Sequence, residues 1–207
     1  MNPLELASHG PVIPVIVIER IEDAVPMAQA LVDGGVKVLE ITLRTPIALQ
    51  CMEAIAREVP AAIVGAGTVR TVVDAHAAKS AGCKFAVSPG YLSAVGQACR
   101  EIDLPLLPGV ATGSEVMQAN ADGYSFLKFF PATAAGGIPM LKALAGPFPD
   151  VSFCPTGGIT PETAPQFLAL PNVMVCGGSW LTPADAVASK DWARITRLAR
   201  EATRLRS

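Results

Sequence analysis

The chain is organised around the stretch FLKFFP, residues 126–131, an apolar run of strand-forming residues that encloses one lysine. Side chains alternate between the two faces of a strand, so Lys128 shares a face with Phe126 and Phe130. Desolvation between aromatic rings disfavours the charged ammonium group, and a neutral amine is the form that attacks a ketone. The stretch therefore has two interpretations: a Schiff-base lysine, or a lysine that extends its charged end to solvent from a strand end or a sheet edge.

Apolar runs of strand length recur along the whole chain at intervals of roughly 20 to 25 residues, and helix-like segments separate them. Eight such units in 207 residues, with no linker or shift in composition, predict one domain over residues 1–207. We expect a closed (β/α)8 TIM barrel with a short N-terminal helix, and an open doubly wound sheet is the alternative. The predicted strands are 12–18, 36–43, 61–65, 84–87, 104–107, 126–130, 151–154 and 173–176.

Polar residues indicate where some of the predicted helices begin. Asn2 can cap the opening helix with Pro3 in its first turn, and Asp23 can cap the helix after the first strand. Residues 191–206 form a final amphipathic helix whose arginines lie on a solvated outer face.

Composition and charge argue against several classes of partner. Hydrophobic residues make up 51% of the chain and charged residues 16%, which favours one well-buried core, and a net charge of −2 gives no electrostatic case for nucleic acid. The longest apolar stretch, residues 12–18, contains Pro14 and is too short to cross a bilayer, and the N-terminus does not resemble a signal peptide. We therefore expect a cytoplasmic protein that contacts neither nucleic acid nor membrane.

Cysteine and histidine are too few and too scattered to suggest a metal site. The five cysteines contain no C-x-x-C pair, and the two histidines, His9 and His76, belong to no cluster with ligand spacing. Cys154 and Cys176 lie in apolar strand-like runs and are predicted to be small core residues. We expect no disulfide framework, no metal and no cofactor.

The second predicted strand carries an acidic residue on its inner face. Alternation places Val38, Glu40 and Thr42 on one face, and Leu39 and Ile41 on the face toward the helices. A buried glutamate is costly unless it pairs with a cation or holds a proton for transfer. Glu40 is therefore either half of a structural ion pair or a general acid/base near the C-terminal mouth of the barrel.

Glycine-rich turns follow several predicted strands and suggest contacts between the backbone and a ligand. The G-x-G at Gly65 and Gly67 lacks the third glycine of a dinucleotide-binding fingerprint, so it more simply lets a ligand approach, with the Thr68 hydroxyl beside it. Pro89 follows the fourth strand and can also line a site. Paired glycines after the last two strands expose N–H groups and favour phosphate binding over tight turns alone: Gly157-Gly158 and Gly177-Gly178.

As a set, these motifs resemble the 2-keto-3-deoxy-6-phosphogluconate (KDPG) aldolase family of class I pyruvate aldolases, which also includes 4-hydroxy-2-oxoglutarate (KHG) aldolases. The resemblance covers nearly the whole chain. No single motif is specific, but the set is: GPVIPVI at 10–16, VLEITLRT at 38–45, IVGAGTV at 63–69, KFFPA at 128–132, FCPTGGI at 153–159 and GGSW at 177–180.

The resemblance implies a TIM barrel, a homotrimer, no metal, and a phosphorylated keto acid as the small-molecule substrate. It places the Schiff-base lysine on Lys128 and the general acid/base on Glu40. It also implies a set of substrate contacts: the carboxylate on Arg44 and Thr68, the hydroxylated part on Thr156, and the phosphate on Gly157, Gly158, Gly178 and Ser179, with Pro89 and Phe130 completing the site.

The predicted reaction is cleavage of KDPG to pyruvate and D-glyceraldehyde 3-phosphate, with 4-hydroxy-2-oxoglutarate as a further substrate. A related branch acts on the galactonate epimer and lacks the arginine and the threonine found here as Arg44 and Thr156, which favours the gluconate branch. Three alternatives stay open: a galactonate aldolase, a sugar-phosphate isomerase or epimerase that works through Glu40 without covalent chemistry, and a non-catalytic sugar-phosphate binding barrel.

Overall fold

The structure, a computed structural model, describes residues 3–205. Strands and helices alternate along this range. The strands are β1 (Val12–Ile16), β2 (Val38–Thr42), β3 (Ile63–Gly67), β4 (Phe85–Val87), β5 (Leu106–Leu107), β6 (Gly109–Val110), β7 (Phe126–Phe129), β8 (Ser152–Pro155) and β9 (Cys176–Gly178). The helices are α1 (Pro3–Leu6), α2 (Ile21–Asp33), α3 (Ala48–Glu58), α4 (Val72–Ser80), α5 (Ser93–Glu101), α6 (Gly113–Ala121), α7 (Gly137–Ala145), α8 (Ala164–Leu168), α9 (Ala184–Ala188) and α10 (Trp192–Ala202), with a 3₁₀ turn, Ala7–His9, after α1.

The strands pair in parallel and form two sheets. The larger sheet has the order β5-β4-β3-β2-β1-β9, and the smaller has the order β6-β7-β8. Only Pro108 separates β5 from β6, so one continuous stretch of chain contributes an edge strand to each sheet. The result is an α/β fold with a curled parallel sheet. The predicted α/β class and parallel strand pairing are therefore confirmed.

Every predicted strand overlaps an observed one, and the last strand is shifted toward its C-terminus. The sequence predicts it at residues 173–176, whereas β9 is Cys176–Gly178 and Val173 makes only an isolated bridge. Gly177 and Gly178 therefore lie within a strand and not in the turn after it, which corrects the prediction for that glycine pair.

An apolar cluster fills the interior of the curl. Val38 and Phe126, two residues before the predicted acid and lysine, belong to this interior cluster, whereas Leu39 and Leu127 belong to clusters under the helices. The predicted alternation of both strands is therefore confirmed. The interior cluster consists of Leu6, Ile13, Val38, Phe85, Val87, Leu107, Phe126, Cys154 and Val175.

The helix after β1 does not begin as predicted. It starts at Ile21 with Arg20 in the cap position, and the Asp23 carboxylate accepts a hydrogen bond from the Arg20 side chain instead of capping the helix. The prediction for Asp23 is wrong because this ion pair within the first turn engages the carboxylate. The predicted cap at Asn2 lies outside the described residues.

The C-terminal helix α10 packs against α2. Its apolar face is buried as predicted, through Ile195, Ala199 and Ala202. The helix ends at Ala202, however, and residues 203–205, predicted to be helical, form a turn, while residue 206 lies outside the described range. Gly34, just after α2, faces this helix so closely that a Cβ there would lie 2.6 Å from the Thr196 carbonyl oxygen. The absence of a side chain at this position lets the two helices touch.

We expect Gly34→Ala to lower the free energy of unfolding by about 1–3 kcal/mol, because the added methyl overpacks the contact between α2 and α10. Urea denaturation followed by circular dichroism would measure the change. Gly146→Ala is the matched control, since its Cβ would meet only the Ala143 carbonyl oxygen at 3.9 Å. Equal stability of the two variants would contradict the close helix contact.

Candidate active site

The site is built around a buried ion pair between Lys128 and Glu40. Lys128 Nζ donates a hydrogen bond to Glu40 Oε1 at 3.1 Å, and the two side chains are only 4% and 3% exposed. Lys128 lies on β7 of the smaller sheet and Glu40 on β2 of the larger one, so the pair crosses the interior between the two sheets. Nζ also lies 5.3 Å from the centroid of the Phe130 ring, as the shared strand face predicts.

The neighbouring strand β3 leaves room for the Glu40 carboxyl group. Glu40 pairs in register with Gly65 on β3, and a Cβ on Gly67, two residues further along, would lie 2.9 Å from Glu40 Cδ. The carboxyl group thus packs against bare backbone at the end of β3. Thr42 continues the same face of β2, and its hydroxyl donates to the Ile16 carbonyl oxygen of β1 at 2.9 Å, which ties the two strands together above Glu40.

Cys154 of β8 and Thr156, directly after β8, complete the buried part of the site. Cys154 is the register partner of Lys128, and burial raises the pKa of its thiol to about 12 while the Lys128 ammonium opposes that shift. The thiol is therefore neutral at physiological pH. Thr156, 5% exposed, lies two residues further along the chain, and its hydroxyl oxygen is 3.8 Å from the Cys154 sulfur. Gly177 of β9 makes room for it, because a Cβ there would lie 2.9 Å from Thr156 Cβ.

Arg44 and Thr68 form a second pair at the rim. Arg44 Nε donates to Thr68 Oγ1 at 3.2 Å, and both residues follow the C-terminal ends of their strands. Thr68 has a positive φ of 63°, which turns the chain sharply after β3. Arg44 is exposed, so its guanidinium group is accessible to an anion that enters from solvent. Pro89 lies half-buried in the loop after β4.

The glycine pair after β8 forms a tight turn. Gly157 and Gly158 have φ values of 104° and 75°, which favour glycine, and the Gly157 carbonyl oxygen accepts hydrogen bonds from the Thr133 backbone and hydroxyl group. Turn geometry therefore accounts for this pair by itself, and its phosphate role stays a prediction. Gly178 is buried in β9, and Ser179 follows it with an exposed side chain.

The structure thus brings the predicted residues together to different degrees. Lys128 touches both Glu40 and Phe130, and Arg44 touches Thr68, so these two groups are joined by direct contacts. The other predicted residues lie after the C-terminal ends of β4, β8 and β9 or, in the case of Gly178, at the end of β9 itself.

Sequence reasoning missed the part that Gly67 and Cys154 take in this site. Cys154 is two residues before Thr156, so strand alternation could have placed both side chains on one face. No comparable signal exists for Gly67, because its contact with Glu40 depends on the register between β2 and β3.

The described residues contain neither a cluster suited to a metal ion nor a helix suited to span a membrane. Among residues 3–205, no three side chains of His, Cys, Asp or Glu are grouped so that they could hold a metal ion. None of the described helices is long and apolar enough to cross a bilayer.

Comparison with known proteins gives matches along almost the whole chain. Residues 5–198 match the family model described as KDPG and KHG aldolase. The KHG/KDPG aldolase of Escherichia coli (strain K12) is 54% identical over 197 residues, which cover 95% of this chain and 92% of that protein. The 2-dehydro-3-deoxy-phosphogluconate aldolase of Dickeya dadantii (strain 3937) is 52% identical over 198 residues, covering 96% and 93%.

A solved structure shares both the fold and much of the sequence. It is the KDPG aldolase from Legionella pneumophila with pyruvate captured at low pH as a covalent carbinolamine intermediate, with a TM-score of 0.96, 47% identity and 98% coverage of each chain. The fold, the buried pair and these matches identify an aldolase, a carbon–carbon lyase. The chain belongs to the KDPG and KHG aldolase family, and the family predicted from sequence is confirmed.

We expect Glu40→Gln and Lys128→Met each to destabilise the protein by roughly 3 kcal/mol, because either change leaves one buried polar group without its partner. The double variant should cost clearly less than the sum of the two single changes. Chemical denaturation of all four proteins would give the coupling. The same cycle on the exposed Arg57–Glu58 pair is the control and should be close to additive. Additivity at Glu40 and Lys128 as well would contradict the ion pair.

Proposed function

We propose that this chain is a class I aldolase that cleaves KDPG to pyruvate and D-glyceraldehyde 3-phosphate. The observation that carries the proposal is the contact of 3.1 Å between the buried amine of Lys128 and the buried carboxyl group of Glu40. The same chemistry would split 4-hydroxy-2-oxoglutarate into pyruvate and glyoxylate. Family membership and the covalent pyruvate adduct of the Legionella relative support the Schiff-base route.

We also propose that the curled sheet is a closed (β/α)8 barrel. Two features support closure. Lys128 N donates to the Pro108 carbonyl oxygen at 2.8 Å, next to the point where β5 passes into β6. At the other junction, Thr156 makes a parallel bridge with Gly177, which links the end of β8 to β9. Counting β5 and β6 as one strand broken at Pro108 gives the eight strands that the sequence predicts.

The first half of the reaction forms the covalent intermediate. Glu40 lies at hydrogen-bond distance from Lys128 and can accept a proton from its amine. The neutral nitrogen then adds to the C2 ketone of the substrate to give a carbinolamine. Glu40 returns its proton to the departing hydroxyl group, and loss of water leaves a protonated imine between Nζ and C2 and a Glu40 carboxylate. The imine cation accepts the electrons of the next step.

The second half breaks the carbon–carbon bond. Glu40 takes the proton of the C4 hydroxyl group, directly or through a water molecule, and the C3–C4 bond breaks. Its electron pair moves into the imine and forms an enamine, and the C4 carbon leaves as the aldehyde. Glu40 returns a proton to C3, and hydrolysis of the imine releases pyruvate and restores the free amine of Lys128.

The remaining predicted residues would hold the substrate. Arg44, positioned by Thr68, is suited to a bidentate contact with the carboxylate of the pyruvate half. Thr156 would contact the hydroxylated part. Pro89 and Phe130 would border the site, and the phosphate would lie against Gly157, Gly158, Gly178 and Ser179.

Arg44 and Thr156 also favour the gluconate epimer over the galactonate epimer, as the family resemblance implies. A non-covalent isomerase or epimerase would need Glu40 but no reactive amine, and a binding protein would need neither. A homotrimer and a cytoplasmic location stay predictions from resemblance and sequence. Analytical ultracentrifugation would test the oligomeric state, and turnover measured on the two epimers and on 4-hydroxy-2-oxoglutarate would settle substrate preference.

Borohydride reduction in the presence of pyruvate tests the covalent route. We expect an adduct whose mass equals one pyruvate minus one water plus two hydrogens, and peptide mapping should place it on Lys128. Lys128→Met should form no adduct and lose turnover, while Lys142→Met, which removes an exposed lysine of α7, should retain both. An unmodified wild-type protein, or an active Lys128→Met variant, would refute the aldolase mechanism.

Glu40→Gln separates proton transfer from imine formation. We expect kcat to fall by roughly 10²- to 10⁴-fold, which is the usual contribution of a general acid/base. Borohydride should still trap pyruvate on Lys128 after long incubation, because the amine remains in place. Steady-state kinetics and mass spectrometry on one preparation would measure both quantities, and a kcat close to the wild-type value would exclude Glu40 from this role.

A further inference from the structure

A cavity of about 470 Å³ opens between the loop after β1 and the loop after β9. Val15, half-buried, lines it and is the register partner of Glu40, so its side chain points to the same interior face. Ser179 and Thr182 line the cavity from the other loop. The cavity therefore extends from a point beside the catalytic acid to the predicted phosphate contact at Ser179.

One arginine enters this cavity in a fixed orientation. Arg20 Nε donates to Asp23 Oδ2 at 2.8 Å, and the Asp23 side chain is only 3% exposed. The other oxygen of Asp23 is buried and has no hydrogen-bond partner within residues 3–205. Releasing Arg20 would leave a buried carboxylate with no partner at either oxygen, which is costly. Asp23 thus holds the guanidinium group in place through Nε.

The ends of the Arg20 guanidinium group remain available for a ligand. An arginine has five N–H donors, and the contact with Asp23 uses only the one on Nε. Nη1 and Nη2 form the flat fork that matches two oxygens of a phosphate group. Among the described residues that line the cavity, Arg20 carries the only positive charge, whereas Asp23 and the exposed Glu19 are negative. Glu22 Oε1 lies 3.9 Å from Arg20 Nε, on the same side as Asp23, so both carboxylates pair with Arg20 through Nε and not through Nη1 or Nη2.

We propose that Arg20 binds the phosphate group of the substrate on the side of Ser179, and that it determines the preference for phosphorylated over unphosphorylated keto acids. The inference rests on the proposed aldolase function and adds a residue to the predicted phosphate contacts, which otherwise consist of backbone N–H groups and one hydroxyl. In a substrate bound to Lys128 through C2, the phosphate lies at the far end of the chain, and this cavity leads in that direction from beside Glu40.

Kinetics on two substrates would test the role of Arg20. We expect Arg20→Gln to raise KM for KDPG at least about tenfold, the effect of losing one charge-assisted contact, with kcat within about threefold of wild type. KM for 4-hydroxy-2-oxoglutarate, which has no phosphate, should not change. An unchanged KM for KDPG, or equal losses on both substrates, would overturn the proposal.

Arg194→Gln is the matched control. Arg194 also pairs with an aspartate, Asp185, at 2.6 Å, and its side chain is 37% exposed against 44% for Arg20. It does not belong to the described lining of the cavity. This control should leave the KM ratio of the two substrates at its wild-type value. A ratio that changes as much as in Arg20→Gln would show a general charge effect and would overturn the specific role of Arg20.

Direct binding of inorganic phosphate keeps this test separate from the aldolase mechanism. Calorimetry needs no turnover, so it can be read even if the wild-type protein forms no pyruvate adduct. We expect Arg20→Gln to weaken phosphate binding about tenfold. Glu19→Gln should strengthen binding, because it removes the negative charge that faces the same cavity. No change in Arg20→Gln, or a Glu19→Gln variant that binds phosphate no more tightly than wild type, would overturn the proposal.

Discussion

The constraint on which the structure depends is the placement of two opposite charges inside an apolar interior. Lys128 and Glu40 are 3.1 Å apart with almost no exposed surface, so each has lost most of its hydration. Desolvation of this kind costs several kcal/mol per ion, and only good geometry offsets it. The fold supplies that geometry from opposite sides, with Glu40 on one sheet and Lys128 on the other. Purely apolar residues of similar size would stabilise the interior at least as well, so a functional role explains this pair better than a contribution to stability.

The residues around the Lys128–Glu40 pair exclude water from it and place no competing charge beside it. Apolar side chains below it, including Val38 and Phe126, fill the interior of the curled sheet and exclude water from it. Cys154 lies beside the lysine, but burial keeps its thiol protonated, so it neither adds a negative charge nor competes as a nucleophile. The covalent pyruvate intermediate of the Legionella relative shows that an enzyme with nearly the same fold carries out this type of chemistry.

Strand alternation was sufficient to predict the inner faces of β2 and β7, and with them the buried acid and lysine. It was not sufficient to predict contacts that depend on register, such as the one between Gly67 and Glu40, because register is set by pairing with strands far away in sequence. The glycine pair at 177–178 was misplaced for a related reason. Glycines usually mark turns, but here they lie in a strand, where a neighbouring side chain occupies the space that a Cβ would need.

The same limit applies to α2, the helix after β1. Aspartate is a residue type that often caps helices. The sequence could not show that Arg20, three residues earlier, would bind the Asp23 carboxylate. The loop geometry that brings Arg20 to the same cavity as Ser179 was equally invisible, since the two residues are far apart in the chain. Individual side chains on regular strands were thus predictable, whereas cooperation between loops was not.

The bare backbone at Gly67 and Gly177 has a practical consequence for altering what this scaffold accepts. A Cβ at Gly67 would collide with Glu40 and one at Gly177 with Thr156, so any larger residue there would displace these two side chains. Val15 and Val17, by contrast, contribute walls to an open cavity and hold no polar partner in position. Libraries that seek new acceptor aldehydes are best directed at these two valines, with both glycines kept constant.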